Sequence, residues 1–365
     1  MTTHQPIQLG LCCLNITMRQ QKPSVFSSRK MIIRTIKEQG IAVLQEKILQ
    51  NLSDTIKLIE WNENNGIRVF RLSSELFPHK TNPKVQDYSY DFAMEAMKMI
   101  GDKAKEYGHR LTFHPGQYNV VGTPNIDIFN QTCMNLKYHA DVLDYMGMDK
   151  NSVMVVHGGG VYGDKNKTIE RWIKQFHMLP DNVKKRLVLE NCEKCFSIKD
   201  CLYIAEIVNI PVVFDTHHYG CYNLLHKEEY IEPPEYFMHR ILNTWTNRNI
   251  KPKFHISEQG TGRTGHHSDY VETIPTYLLD IPKKYNIHID IMIEAKMKEL
   301  AIFKLYDKYT ELSCKIFNTE TILCQEIKNT FIFNNECLCC NNFIDIKNHK
   351  KKKIKKLKKF IIINQ

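Results

Sequence analysis

Apolar residues fall into two alternating patterns along the chain. Short runs rich in β-branched and aromatic residues occupy 7–14, 67–72, 111–114, 153–157, 187–190, 212–215, 254–257 and 289–294. Between them, at 51–64, 90–107, 130–146, 168–179, 198–208, 235–245 and 271–285, apolar positions recur at helical spacing, and a last such stretch at 298–312 follows the eighth run. Near-continuous apolar runs suit strands covered on both faces, as in parallel sheets. Eight strands, each followed by a helix, predict an α/β fold of the (β/α)₈ TIM-barrel type. A doubly wound open sheet is the alternative, but it usually has six strands, and no Gly-x-Gly-x-x-Gly follows the first run.

The pattern changes after about Leu312. Residues 313–365 are rich in Ile, Asn, Lys, Phe and Cys, and we assign them to a partly disordered C-terminal extension outside a catalytic barrel spanning 1–312. Cys337, Cys339 and Cys340 form a potential zinc cluster that lacks a second well-spaced ligand pair. The lysine run fits either a nuclear-localisation or nucleic-acid tail or a neutral solvated one. The 12 cysteines show no regular framework, so reduced thiols are expected. No apolar run approaches the ~18 residues of a membrane span, and the N-terminal Met-Thr-Thr-His-Gln-Pro has no signal-peptide character. These features predict an intracellular protein, cytoplasmic or nuclear.

Charge matters only once located. The formal net charge is +10, but nine lysines between Lys347 and Lys359 account for most of it, and the rest of the chain holds 41 basic and 40 acidic residues. Polyanion affinity would therefore come from local patches. Residues 1–37 contain no Asp or Glu but carry Arg19, Lys22, Arg29, Lys30, Arg34 and Lys37. That segment is either a solvated loop or a phosphate-contacting surface.

The chemistry is concentrated at the strand tips. Strand one leads to Asn15, and strand two to Ser73, Ser74 and Glu75. Strands three to six end at His114, His157, Glu190 and Asp215, strand seven carries Lys253 and His255, and strand eight ends at Glu294. In a barrel these tips converge on the face where active sites sit. Imidazoles and carboxylates together suit divalent zinc, manganese or iron, whereas a purely oxygen set would suit magnesium. Glu190 and Glu294 could bridge ions, and His218 adds a donor three residues after Asp215. The His157-Gly-Gly-Gly160 turn permits close backbone approach to a phosphate. Gln117 and Tyr118 place an amide and an aromatic ring just past His114, where they could pack in a loop or fill the place of a displaced base.

These motifs resemble the UV damage endonucleases, relatives of endonuclease IV within the xylose-isomerase-like barrels. The matching strings are Arg71-Leu-Ser-Ser-Glu-Leu-Phe-Pro78, Phe113-His-Pro-Gly-Gln-Tyr118, His157-Gly-Gly-Gly-Val-Tyr-Gly163, Leu189-Glu-Asn191, Val213-Phe-Asp-Thr-His-His218, Pro252-Lys-Phe-His-Ile-Ser257, His267-Ser-Asp-Tyr270 and Met292-Ile-Glu-Ala-Lys296. They cover roughly residues 7–312. The resemblance implies metal ligands at His114, His157, Glu190, Asp215, His218, His255, His267 and Glu294, with Glu190, Glu294 and Lys253 in catalysis. Lys253 matches a lysine that the family can carry in carboxylated form. Two to three divalent ions per chain are implied, manganese ahead of zinc or magnesium. Gln117 and Tyr118 match the pair that probes damaged bases, and Asn15 matches a polar residue lining the cleft. Arg19, Lys22, Arg29 and Lys30 become candidate DNA contacts.

The expected reaction is metal-dependent hydrolysis of the phosphodiester 5′ to a UV photoproduct or other lesion in double-stranded DNA, leaving 3′-hydroxyl and 5′-phosphate ends. No nucleotide cofactor or membrane is involved, and a monomer is expected. Two positions depart from the family. Asn82 stands where a histidine is frequent, so that His79 or the Asn82 oxygen would have to serve one metal. Leu11 stands where an aromatic residue is frequent. A sugar isomerase on the same barrel and a non-enzymatic DNA-binding protein are the rival readings.

Overall fold

The structure is a computed structural model and describes residues 5–313. Eight strands form one parallel sheet: β1 (Ile7–Cys12), β2 (Val69–Arg71), β3 (Arg110–Thr112), β4 (Met154–His157), β5 (Leu187–Glu190), β6 (Val212–Asp215), β7 (Lys253–Ile256) and β8 (Ile289–Ile293). β1 pairs with both β2 and β8, the mark of a sheet curling back on itself. The two remaining edges, β3 and β4, meet through a parallel bridge between Phe113 and Met154, where Phe113 N donates to Val153 O and Val155 N donates to Phe113 O. The fold is thus the predicted (β/α)₈ barrel, and the open-sheet alternative is excluded. Strand residues such as Leu9, Leu11, Phe70, Leu111, Phe214 and Ile291 are fully buried on the helix-facing side of the sheet, while Cys12, Val69 and Met292 pack together on the opposite, inner side.

The helices follow the strands in order. α1 (Ile16–Arg19), α2 (Ile33–Gln39) and α3 (Ile41–Asn64) lie after β1, α4 (Met94–Tyr107) after β2 and α5 (Ile126–Tyr145) after β3. α6 (Lys165–His177) and α7 (Asp181–Arg186) follow β4, and α8 (Ile198–Val208) follows β5. α9 (Thr216–Leu225) and α10 (Pro234–Thr246) follow β6, α11 (Thr276–Leu279) and α12 (Ile281–Tyr285) follow β7, and α13 (Lys298–Lys308) closes the described chain. The long helix expected at 51–64 begins ten residues earlier, at Ile41. The single helix expected at 271–285 is two short pieces. Pro275 caps the first and Pro282 opens the second, because proline has no N–H to donate within a helix. α9 escaped the periodicity because its first turn carries site residues instead of an apolar stripe: Asp215 caps it through a hydrogen bond from His218 N at 2.8 Å.

Among the described residues no helix is long and apolar enough to cross a membrane. Apart from Ser313, the expected extension at 313–365, with its Cys337, Cys339 and Cys340 cluster and lysine run, lies outside the described residues.

Candidate metal centre and DNA-facing rim

The C-terminal ends of β3 to β8 bring the predicted donors together. Glu190 is fully buried at the tip of β5 and sits among four imidazoles. Its Oε1 lies 2.7 Å from His255 Nδ1 and 3.8 Å from His218 Nδ1. Its Oε2 lies 2.9 Å from His114 Nε2 and 3.6 Å from His157 Nε2. Glu294, at the end of β8, reaches His255 Nδ1 at 3.1 Å and His267 Nδ1 at 3.9 Å. Asp215 lies 3.8 Å from His218 Nδ1. Three overlapping donor groups have ligand atoms within 4.8 Å of one another: His114, Glu190 and His255; Glu190, Asp215 and His218; and Asp215, His255 and Glu294. His157 and His267 stand at the margin, His157 lying between His114 and His218 with ring centroids 5.1 and 5.3 Å away and the rings tilted against each other.

The electrostatics of this mouth are unbalanced. Glu190, Asp215 and Glu294 are buried carboxylates, and among the described residues the one permanent cation ion-paired with them is Arg71, whose Nη1 donates to Glu294 Oε1 at 2.6 Å. Burial pushes Asp215 up to about 7, against the pull of His218 and with further push from Glu190 and Glu294. Burial would lower His218, but Asp215, Glu190 and Glu294 outweigh it and raise it to about 9. Burial is likewise opposed at Glu190, which His255 and His157 hold well below the usual carboxylate range, and at Glu294, where Arg71 does the same. Among the predicted donor side chains of this mouth, Asp215 Oδ2 and His157 Nδ1 are buried without a hydrogen-bond partner. An unpaired buried carboxylate oxygen is costly unless something positive reaches it.

Lys253, the first residue of β7, is fully buried, with its Nζ hydrogen-bonded to His255 Nε2. Burial, then Arg71, lowers Lys253 to about 7. A lysine so placed is partly the free amine at neutral pH.

His79 and Asn82 lie elsewhere. His79 donates from Nε2 to Met31 O at 2.6 Å and accepts from Asn82 at Nδ1 at 3.1 Å, so both ring nitrogens are engaged. They line an open groove of about 730 Å³ between the segment around Met31, the loop after β2 and α5, with Tyr118 on its edge. Gln117 and Tyr118 occupy a turn after β3 and point outward, Tyr118 with 62 % exposure. A Cβ on Gly116 would lie 2.5 Å from the Tyr118 ring, so this glycine makes room for it. Leu11 is fully buried, which removes it from any contact with a substrate.

The basic segment divides. Arg19 and Lys22 are exposed, and Lys30 reaches Glu75 at 2.9 Å across a largely exposed pair. Arg29 is turned inward: it pairs with Asp54 at 2.6 Å, donates to Ser24 O and Phe26 O, and stacks over the Phe26 ring at 4.0 Å. Its role as a candidate DNA contact is therefore corrected to one in holding this loop on α3. Asn15 is buried. Its Oδ1 accepts from Met18 N at 2.8 Å and caps α1, while its Nδ2 has no partner.

Two residues at the mouth escape a census of strand-end chemistry. Arg71 is the last residue of β2 and opens the Arg71-Leu-Ser-Ser string, in which it was assigned no role. Asn191 follows Glu190 and brackets Asp215, accepting from its N–H at 2.8 Å and donating to its carbonyl at 3.0 Å, which locks the tips of β5 and β6 together.

A closed parallel barrel with buried carboxylates and imidazoles converging on its C-terminal mouth defines a barrel enzyme with a candidate metal centre. The family described as UV-endonuclease UvdE matches residues 7–322. A protein of Acanthamoeba polyphaga mimivirus, named as a candidate UV-damage endonuclease, is 41 % identical over 315 residues, covering 85 % of this chain and 93 % of its own. The UV-damage endonuclease of Schizosaccharomyces pombe is 36 % identical over 312 residues, covering 83 % of this chain but 50 % of its own, so the chain spans about half the length of that relative. The crystal structure of SacUVDE superposes with a TM-score of 0.69 at 29 % identity, covering 84 % of this chain and all of the other. The chain belongs to the UV-damage endonuclease family, and its activity is that of a DNA-repair endonuclease.

Proposed function

We propose that this endonuclease hydrolyses the phosphodiester immediately 5′ to UV photoproducts in double-stranded DNA, leaving 3′-hydroxyl and 5′-phosphate ends, with two to three divalent ions as cofactor. The observation that carries the reading is the charge imbalance at the mouth: three buried carboxylates meet one permanent cation, and Asp215 Oδ2 is left without a partner. A donor set of this kind fits divalent ions: its mixture of imidazole and carboxylate suits zinc, manganese or iron, and the family resemblance puts manganese first. Glu190, Asp215, His218, His255, Glu294 and His114 would hold the ions, with His157 and His267 closing the margin. When bound, the ions supply Lewis acidity at the phosphodiester and lower the pKa of coordinated water.

The chain's own residues supply position. Asn191 fixes the backbone from which Asp215 projects, and Arg71 fixes one oxygen of Glu294. Lys253, with its pKa near neutrality, can hold or release a proton at Nζ beside His255. The free amine is also the form that carboxylation requires. Gln117 and Tyr118 stand outward next to the mouth, where a base pair that stacks poorly costs less to open than an intact one. Lys22 and Arg19, the latter resting over the Phe26 ring at 5.0 Å, are exposed where they can meet phosphates.

Metal analysis of the purified protein combined with nicking of supercoiled plasmid, with and without UV irradiation, tests the reading. Bound divalent metal and UV-dependent nicking that a chelator stops are expected. Nicking that survives full chelation would overturn the metal assignment, and equal nicking of irradiated and untreated plasmid would overturn the lesion assignment.

A further inference from the structure

Arg71 has a part in this mouth that pairing with Glu294 does not exhaust. It is the last residue of β2, at the same level as Cys12 of β1, and its guanidinium crosses to Glu294 on the far side of β1. Nη1 is committed at 2.6 Å. Among the described residues no hydrogen bond uses Nε or Nη2, yet neither atom is among the buried polar groups without a partner, so both keep some accessible surface. The side chain as a whole retains 13 % exposure. Arg71 is thus a fork with one tine occupied and an open edge.

A phosphodiester entering this mouth brings negative charge toward three buried carboxylates. Ions would offset part of that repulsion. Arg71 is the fixed positive group in contact with the carboxylates, and its planar donor fork matches phosphate geometry, which a lysine does not.

We propose that Arg71 grips a phosphate of the bound DNA strand through the guanidinium edge that faces away from Glu294. The proposal rests on the endonuclease reading above. It makes Arg71 a substrate-binding residue that also positions Glu294. Neither the other basic candidates nor the probing pair Gln117 and Tyr118 supplies this contact, because they belong to the loops after β1 and β3 instead of the floor of the mouth.

The salt dependence of DNA binding separates a phosphate contact from a purely structural role. Affinity for a short UV-irradiated duplex would be measured by fluorescence anisotropy in chelator across a series of salt concentrations, for the full chain and for Arg71→Met and Arg71→Lys. Losing one phosphate contact should flatten the plot of log K against log salt by about 0.9. Arg71→Met should show that change and slow single-turnover nicking in metal by about 100-fold. Arg71→Lys keeps an ammonium for Glu294 but lacks the second edge, so its slope should flatten equally while thermal stability and metal stoichiometry stay as in the parent. A parental slope in a folded Arg71→Met protein overturns the proposal. Should Arg71→Met fail to fold, Arg71→Lys decides in the same way. If the parent chain neither binds nor nicks irradiated DNA, the endonuclease reading itself fails, which is a different result from a parent that binds and variants that bind with its slope.

Discussion

The two ends of the barrel bury charge in opposite ways. At the N-terminal end, Asp290 of β8 is fully buried, but its Oδ2 accepts from Arg110 Nη1 at 2.7 Å and its Oδ1 pairs with Lys251. Arg110 Nε also donates to Asn151 O at 2.5 Å, and Lys251 Nζ donates to Gln8 Oε1 at 3.0 Å. One carboxylate meets two cations there, all from side chains of the chain itself. At the C-terminal end, three carboxylates meet Arg71 and a set of imidazoles, with Asp215 Oδ2 unpartnered. Both sets share the same sheet and interior. The difference is one of charge: the first set meets one carboxylate with two cations of the chain, whereas the second meets three carboxylates with one, an arrangement that fits the proposed ions. A buried ion pair adds little net stability but is costly to break.

The largest expected effect lies at the incomplete end. Replacing both Glu190 and Glu294 with Gln should reduce nicking of UV-irradiated plasmid to background. The chelated double variant should stay cooperatively folded but melt below the chelated parent, since Arg71 and the imidazoles that hold both carboxylates ionised lose their partners. Retained nicking would break the contrast between the two ends.

The complete end should respond in stability alone. Asp290→Ala strands Arg110 and Lys251 and should cost about 3–5 kcal/mol in urea unfolding. Metal content of the folded fraction should be unchanged. The acid limb of stability gives the same test without truncation. Burial pushes Asp290 up, but Lys251 and Arg110 outweigh it and hold its carboxyl below the usual range. Its folded pKa is depressed, so its contribution is present above the unfolded value of about 3.9 and is lost as pH falls through the folded pKa. Asp290→Asn should flatten the fall of stability in that window. A parental acid limb in this variant would show that Asp290 is not the group responsible.

Added manganese should stabilise the parent by about 2.7 kcal/mol at a hundred times its Kd, and should leave the double Gln variant unmoved. Equal shifts in both proteins would place the ion outside the mouth. The smallest effect belongs to the rim. Tyr118 is 62 % exposed, so Tyr118→Ala should leave melting unchanged and lower the preference for irradiated over intact DNA by about tenfold, roughly 1.4 kcal/mol. Equal weakening on both DNAs would count against a probing role.

Much of this was legible in the chain. All eight strands lie where apolar runs predicted them, because a strand covered on both faces needs nearly every residue apolar. Given a barrel, the polar residues ending those runs had to share one face, which is why Glu190, Asp215, His255 and Glu294 could be picked out before any coordinates. Helix boundaries were less visible. α9 begins with Asp215-Thr-His-His218, where site chemistry displaces the apolar stripe, and the two prolines near 275–282 divide what spacing alone joined. Arg71 and Asn191 were hidden because their roles depend on partners on other strands: Arg71 reaches Glu294, 223 positions away.

What the sequence by itself determined is the barrel and the identity of the donors that its strands deliver to one mouth, since both follow from a local pattern repeated eight times. Only the tertiary structure decided how charge is shared among them: that Arg29 is spent on Asp54, that His79 is spent on Met31 and Asn82, and that Arg71 is, among the described residues, the permanent cation paired at the mouth, with Glu294. Those outcomes depend on distances between residues far apart in the chain, and electrostatic interaction is set by distance and burial, neither of which a linear sequence carries.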